Sequence, residues 1–324
     1  MTDNHTQKTA LVTGATSGLG FEAAAQLAEA GYGSVTITGR TEAKAEDARS
    51  RLAARTGDDV FATLVLDLND TKSVEVAVEE LIRRGQEVDF LLLNAGMVSG
   101  SELVRTDEGV EITAASSLVG HHQLTMGMLE NGLLSDHARI VIAGSEAARG
   151  DVPMFKPTDI HELAGNDYDG DLTVAVEALM RYDAPIKYTP GTAYANAKLF
   201  VAYWSAELAT KLPTGMTVNA VSPGSAPDTN ASRNAPFLMK RVMMPIFKLV
   251  PGKSAPVSVA ASRFVQASEF PDEVNGGFFA SAPKKMTGEL HQVDLAHISD
   301  EDSQAAAWEA LVRISGGVGF PIAV

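Results

Sequence analysis

Apolar and polar positions alternate along this chain in a way that predicts strands separated by helices. Short apolar runs that end at glycine or at a polar residue are typical of buried strands. Seven such runs are TALVTG (9–14), SVTITGR (34–40), VFATLVLDL (60–68), FLLLNAG (90–96), ARIVIAGS (138–145), MTVNAVSPG (216–224) and GGFFASAP (276–283). We therefore predict a sheet of seven strands.

The segments between these runs place apolar residues at helical spacing. The predicted helices are 18–30, 41–54, 71–84, the long segment 107–134, and a segment from Tyr194 to about Thr210. Strands that alternate with helices need crossover connections, and these produce a parallel sheet that is covered on both faces. The prediction is an α/β fold, a doubly wound parallel sheet of the Rossmann type. Ligands are expected at the carboxyl ends of its strands.

The charge balance and the absence of cysteine exclude several kinds of function. The 324 residues include 41 acidic and 26 basic side chains, a formal charge of −15. This excess argues against nucleic acid or an anionic membrane as the main partner. Without cysteine there is no disulfide framework and no thiolate nucleophile. The start, MTDNHTQKTA, lacks the apolar core of a signal peptide, so we expect a cytoplasmic protein without stable membrane insertion.

A glycine-rich turn, TGATSGLG (13–20), joins the first predicted strand to the first predicted helix. Its glycines allow a tight turn, a close approach of backbone to a ligand, and close packing of the helix on the sheet. The helix N-terminus offers free N–H groups and the positive end of its dipole to a pyrophosphate. The predicted dinucleotide contacts in this turn are Gly14, Thr16, Ser17, Gly18, Leu19 and Gly20.

The ends of the next three strands indicate which dinucleotide binds. Where an NAD site has a carboxylate for the adenosine ribose, this chain has Gly39 and Arg40, and a guanidinium suits the 2′-phosphate of NADP. A surface arginine at a helix start is the alternative interpretation. Further predicted contacts are Asp67 and Leu68 near the adenine, and Asn94, Ala95 and Gly96 beneath the nicotinamide ribose. The predicted cofactor is NADP, with NAD as the open alternative.

Tyr194 and Lys198 stand four residues apart in GTAYANAKLF (191–200), which places them on one face of a helix. A nearby cation stabilises phenolate, so this tyrosine could exchange a proton well below its ordinary pKa of about 10. For an isolated pair, a packed tyrosine beside a solvent-exposed lysine would be the better interpretation. His121 and His122 are neighbours that point about 100° apart on a helix, so we expect packing residues and no metal site.

Together these residues resemble the short-chain dehydrogenase/reductase family. TGATSGLG is similar to the family's TGxxxGxG, LNAG (93–96) to its NNAG, and SPG (222–224) to its PG turn. Ser145 matches the family's serine after the fifth strand, and Tyr194 and Lys198 match its YxxxK. RTDEGVE (105–111), GHHQLT (120–125) and AAAWEALVRISG (305–316) resemble the retinol dehydrogenase-like and protochlorophyllide reductase-like branch.

The resemblance implies a role for each matching residue. Tyr194 would be the general acid/base, Lys198 would lower its pKa and hold the nicotinamide ribose, and Ser145 would bind the substrate oxygen. Ser117 stands where the family has an asparagine that carries a water to the lysine. Nicotinamide contacts are implied for Pro223, Gly224 and Thr229, although SPGSAPDTN (222–230) is one residue longer than the usual spacing to the threonine.

These observations predict a single dinucleotide-binding catalytic domain over residues 1–324. It carries an inserted lid-like segment, 150–190, and a substrate-side helical segment, 225–253. The predicted function is an NADP-preferring oxidoreductase that interconverts a carbonyl and an alcohol on an apolar or bulky small-molecule substrate. A C=C reductase and a catalytically idle NADP-binding regulator remain alternatives. A homo-oligomer is compatible with the resemblance.

Overall fold

One twisted sheet forms the centre of the protein in the computed structural model, which describes residues 8–226 and 254–321. Its order is β3-β2-β1-β4-β5-β6-β7-β8; the first seven strands run parallel, and β8 is antiparallel to β7. The strands are β1 Thr9–Val12, β2 Ser34–Gly39, β3 Phe61–Val65, β4 Val88–Leu93, β5 Leu134–Ala143, β6 Thr217–Val221, β7 Phe278–Ala280 and β8 His291–Gln292. This arrangement confirms the predicted doubly wound α/β fold.

Helices cover both faces of the sheet and bury two separate apolar layers. The helices are α1 Gly18–Glu29, α2 Glu42–Thr56, α3 Thr71–Arg84, α4 Ile112–Ala114, α5 Gly120–Glu130, α6 Ile160–Asp167, α7 Leu172–Arg181, α8 Pro190–Ala209, α9 Val257–Ala267 and α10 Glu301–Ile314. One layer joins the sheet to α1, α2 and α9, with Phe264 and Ile37 fully buried. The other joins it to α3, α5, α8 and α10, with Trp204 and Phe200 at its centre.

Local chemistry explains where several helices begin and end. Thr41 and Asp70 accept hydrogen bonds from the first turns of α2 and α3, as short polar side chains do at helix starts. Both helices end at glycines in the left-handed region, Gly57 and Gly85. The predicted helices 41–54 and 71–84 agree with α2 and α3 to within two residues at each end.

The predicted helix 107–134 is wrong at both ends. Gly109, at φ +82°, forms a turn, and the helix starts only after Glu111, whose carboxylate accepts the backbone N–H groups of Thr113 and Ala114. Residues Ala115–Val119 then form a π-helical turn before α5, which ends at Glu130. A buried carboxylate that caps a helix can stop it from extending backwards.

The inserted segment 150–190 contains two helices. α6 is short, and α7 packs on α10, which in turn packs on α8. The predicted substrate-side segment 225–253 lies outside the described residues from 227 onwards, and Thr229 lies there with it. Among the residues that the structure describes, no helix is long and apolar enough to cross a membrane.

Candidate active site

A cavity of about 420 Å³ opens at the carboxyl ends of β1, β2, β3 and β4. Its lining includes most of the predicted cofactor residues: Gly14, Thr16, Ser17, Gly18, Leu19, Arg40, Asp67, Leu68, Asn94, Ala95 and Gly96. The topology brings these residues together because parallel strands end at the same edge of the sheet. The cavity is therefore formed by five separate parts of the chain, the four strand ends with the residues that follow them and Ser116.

The glycine-rich turn is pressed against the end of β4. Gly14 has a φ of +65°, and a Cβ there would stand 2.9 Å from the Cα of Ala95. A Cβ on Gly20 would stand 2.5 Å from Nδ2 of Asn94. The Asn94 amide donates to the Thr13 carbonyl at 2.9 Å and so ties the two strands together. Side chains larger than hydrogen would force this turn away from the sheet.

The N-terminus of α1 has the properties that a dinucleotide pyrophosphate needs. Ser17 precedes the helix and, within the described chain, makes no side-chain capping hydrogen bond, so the first N–H groups of α1 are not used by its hydroxyl. These groups and the positive end of the helix dipole face the cavity beside Gly18. The residues present therefore fit a dinucleotide.

Tyr194 and Lys198 lie on α8, past the β4 end of the cavity. The Lys198 ammonium is buried, donates to the Ala143 carbonyl at 2.7 Å, and lies 5.8 Å from the centre of the Tyr194 ring. Ser145 starts a short 3-10 turn, Glu146–Arg149, directly after β5. The Phe155 and Tyr194 rings meet in a T-shaped arrangement with their centres 5.6 Å apart. The structure thus gathers three of the four predicted catalytic side chains, Ser145, Tyr194 and Lys198, at the ends of the central strands; the fourth is Ser117.

Burial governs the protonation of this group. Burial raises the pKa of the Tyr194 phenol, a hydrogen bond with Ser145 opposes the rise, and the negative charge of Glu146 adds to it. Burial lowers the pKa of the Lys198 ammonium to about 8. The net direction for Tyr194 is upward, because desolvation outweighs the hydrogen bond with Ser145. The lowering by Lys198 that the family resemblance implies stays a prediction.

Ser117 lies in the π-helical turn, below Gly96. A Cβ built on Gly96 would be 3.1 Å from the Ser117 hydroxyl and 3.8 Å from the Lys198 ammonium, so the two polar groups approach the same point. The Ser117 hydroxyl is buried and has no hydrogen-bond partner among the described residues. A buried hydroxyl without a partner is costly, which makes this place suitable for an ordered water.

Comparison with known proteins agrees with this geometry. The family model for short chain dehydrogenase matches residues 8–157. The oxidoreductase fscI of Fusarium equiseti is 30% identical over 67% of this chain and 86% of its own length. The chain belongs to the short-chain dehydrogenase/reductase family.

Other relatives point to one branch of this family. Human retinol dehydrogenase 13 is 27% identical over 95% of the chain and 85% of its own length. The WW domain-containing oxidoreductase of Drosophila melanogaster is 32% identical over 74% of the chain, which spans only 55% of that relative. A crystal structure of an actinorhodin polyketide ketoreductase variant with NADPH shares the fold, with a TM-score of 0.60 at 22% identity over 84% of this chain and 94% of its own. The solved structure shows the fold alone, and the similarity to retinol dehydrogenase 13 places this short-chain dehydrogenase/reductase in the retinol dehydrogenase-like branch.

Two basic residues near Arg40 were missed by the sequence reasoning. Lys44 and Arg51 line the same end of the cavity as Arg40, and all three side chains come from the end of β2 and from α2. Arg51 is held by Asp47 at 2.9 Å and by the Thr16 carbonyl at 2.8 Å. Their spacing of four and eleven residues after Arg40 is helical, and this pattern was the available signal.

The two neighbouring histidines have different partners. His121 faces the Ser117 carbonyl through Nδ1 at 3.1 Å and the Thr13 hydroxyl through Nε2 at 2.9 Å. Since a carbonyl only accepts, Nδ1 carries the proton and Nε2 accepts from Thr13. His122 accepts from the Trp204 indole at 3.1 Å and donates to the Val318 carbonyl at 2.7 Å. Both imidazoles are buried and serve as links between elements.

The PG turn follows β6, beside the Ser145 turn. Gly224 has a φ of +79°, and its N–H donates to the Ser222 hydroxyl at 3.1 Å. A Cβ on Gly224 would stand 2.7 Å from the Met286 carbonyl. Pro223 and Gly224 therefore lie in a turn that packs closely against the segment around Met286.

Proposed function

We propose that this short-chain dehydrogenase/reductase is an NADP-preferring oxidoreductase that interconverts a carbonyl and an alcohol, with Tyr194 as the general acid/base. Three groups meet beside the cavity that the glycine-rich turn and Arg40 line, and this observation carries the proposal. Helix α8 holds the Tyr194 ring and the buried Lys198 ammonium, and the turn after β5 holds Ser145. All three groups lie at the same edge of the sheet.

The residues divide the chemistry of reduction among them. The nicotinamide cofactor, when bound, supplies the hydride to the carbonyl carbon. Ser145 donates a hydrogen bond to the carbonyl oxygen, and the Tyr194 hydroxyl gives that oxygen its proton. Lys198 then returns a proton toward the phenolate, and the Ser117 hydroxyl holds the water that connects Lys198 to solvent. Oxidation of the alcohol runs the same steps backwards.

The preference for NADP rests on the adenosine end of the cavity. Arg40 and Lys44 are exposed cations there, and Gly39 leaves no carboxylate at the end of β2. Two exposed cations near one point favour the dianionic 2′-phosphate of NADP over the ribose hydroxyl of NAD. Arg51 is already engaged by Asp47 and stabilises the turn.

A bulky apolar substrate is favoured by the turn Val152–Phe155, the part of the inserted segment beside the catalytic group. Phe155 N–H donates to the Val152 carbonyl at 3.1 Å, Met154 lies at the turn's tip with 54% of its surface exposed, and Phe155 meets Tyr194. α7 packs on α10 instead. We propose that this turn, rather than the whole 150–190 segment, is the lid that contacts substrate.

Replacement of one hydroxyl tests this function. Tyr194→Phe should lower kcat by about 10²–10⁴-fold and leave NADPH affinity nearly unchanged, because the cofactor cavity keeps its lining. Turnover is followed by NADPH absorbance with a panel of ketones, aldehydes and enones, and affinity by NADPH fluorescence. Reduction of enones alone would indicate the C=C reductase, and binding without turnover of any compound would indicate the regulator. Near-normal kcat in a folded Tyr194→Phe variant would exclude the acid/base role.

A further inference from the structure

A buried carboxylate directly follows the serine of the proposed catalytic group. Glu146 is only 1% exposed, and both of its oxygens are occupied. Oε2 accepts from the Ser222 hydroxyl at 2.5 Å, and Oε1 accepts from the backbone N–H and the hydroxyl of Ser281 at 3.2 and 2.9 Å. A carboxylate this deep in the protein needs such a set of donors.

Arg263, on α9, supplies the opposite charge. Its Nη1 lies 3.5 Å from Glu146 Oε1 and donates to the Ser222 carbonyl at 3.0 Å. Its Nη2 donates to the Ser281 hydroxyl at 2.9 Å and to the Gly288 carbonyl at 2.6 Å. The pair thus joins the Ser145 turn, the end of β6, α9 and the loop after β7.

The pair also reaches the PG turn. The Ser222 hydroxyl donates to Glu146 and accepts the N–H of Gly224 at 3.1 Å, so one side chain connects the carboxylate to the turn. A Cβ on Gly224 would stand 3.0 Å from Arg263 Nη1, which shows how closely the guanidinium lies under this turn. Movement of Glu146 would therefore move the Ser145 turn and the PG turn relative to each other.

We propose that Glu146, paired with Arg263, is a positioning residue that fixes Ser145 against the Ser222–Gly224 turn across the nicotinamide site. This rests on the proposed function, in which these turns flank the reacting carbonyl and the nicotinamide. Glu146 also acts electrostatically, since its negative charge raises the pKa of Tyr194. Among the described residues, the other charged groups around it are Lys198, 5.8 Å from the Tyr194 ring centre, Arg263, and the ion pair of Arg149 with Asp151 at 3.0 Å.

Glu146→Gln is the test, and Asp151→Asn is its matched control. Asp151 also pairs with a buried arginine and holds the same loop, accepting from Lys284 N–H at 2.8 Å, but it does not contact Ser222. Glu146→Gln should lower kcat by about 10–100-fold, because small displacements of reacting groups cost about that much. NADPH affinity should stay within about threefold, and Asp151→Asn should keep normal kcat.

A readout without cofactor separates positioning from general destabilisation. The Tyr194 phenolate is titrated by ultraviolet absorbance in the protein alone, with Tyr194→Phe as the blank. Loss of the negative charge should lower the pKa of the Tyr194 phenol, because a neutral amide no longer disfavours the phenolate. The pH dependence of kcat should shift to lower pH with it. Ser222→Ala, which removes the bridge but no charge, should lower kcat without moving the titration.

Two results distinguish this inference from the proposed function. Unchanged kcat and an unchanged Tyr194 titration in Glu146→Gln, with a loss of stability like that of Asp151→Asn, would overturn the inference alone. Retained turnover in Tyr194→Phe would overturn the proposed function, and the catalytic part of the inference would fall with it. The titration of Tyr194 in Glu146→Gln would still report the effect of Glu146 on the phenol.

Discussion

Acidification should destabilise the fold through its two buried histidines. Burial lowers the pKa of His121 from 6.5 to about 3 and that of His122 to about 4. The unfolded chain therefore binds protons at pH values where the folded protein does not. The stability contributed by the neutral imidazoles is complete above pH 6.5 and is lost as the pH falls toward the folded values. The sensitive window lies between about pH 6.5 and pH 4 for His122, and it extends to about pH 3 for His121.

The size of the effect follows from these values. At about pH 5, the pH is about 1.5 units below the pKa of a histidine in the unfolded chain, so that histidine is protonated. Both folded imidazoles stay largely neutral at this pH. Each histidine should then remove about 2 kcal/mol from the free energy of unfolding, and the pair about 4 kcal/mol. The free energy of unfolding of a typical domain is about 5–15 kcal/mol, so this loss is a large share of it.

Urea denaturation at about pH 7 and pH 5 measures the loss. His121→Asn keeps a donor for the Ser117 carbonyl but has no titrating group, so its loss on acidification should be about 2 kcal/mol smaller than that of the wild type. His161→Asn is the control with the opposite sign, because Asp300, 2.7 Å away, raises the pKa of His161. Removal of the His161 imidazole should make the loss of stability on acidification larger. An equal loss in His121→Asn and wild type would show that His121 does not cause the acid sensitivity.

Three further predictions concern the turn, the adenosine end and the substrate side. Gly20→Ala should abolish NADPH binding in calorimetry and lower the thermal midpoint, since its Cβ would lie 2.5 Å from Asn94 and 2.7 Å from the Gly14 carbonyl; native affinity would contradict this. Arg40→Ala should weaken NADPH by about 10–100-fold and spare NADH in fluorescence titrations, whereas equal losses would exclude a phosphate contact. Phe155→Ala should change KM and preference among apolar ketones at constant NADPH affinity; an unchanged preference would remove Phe155 from the substrate site.

Features that depend on residues a few positions apart along the chain could be predicted from the sequence. The apolar runs placed the first seven strands, and the helical spacing of apolar residues placed α2 and α3 within a few residues. The eighth strand, His291–Gln292, was missed, because two exposed polar residues carry no apolar pattern and pair only when β7 is beside them. Lys44 and Arg51 were missed for a related reason, since only the cavity shows which exposed basic residues share a site.

The sequence by itself determined the order of strands and helices, the glycine turn, and the tyrosine and lysine that share a helix face, because each depends on spacings of a few residues. The tertiary structure alone decided how Tyr194 titrates, since burial, which no local pattern measures, outweighs its hydrogen bond. It also decided the partners of Glu146, which lie 76 and 135 residues away in Ser222 and Ser281. Such contacts form only when the sheet brings the ends of β5, β6 and β7 to one edge, so the position of the site is a property of the folded chain.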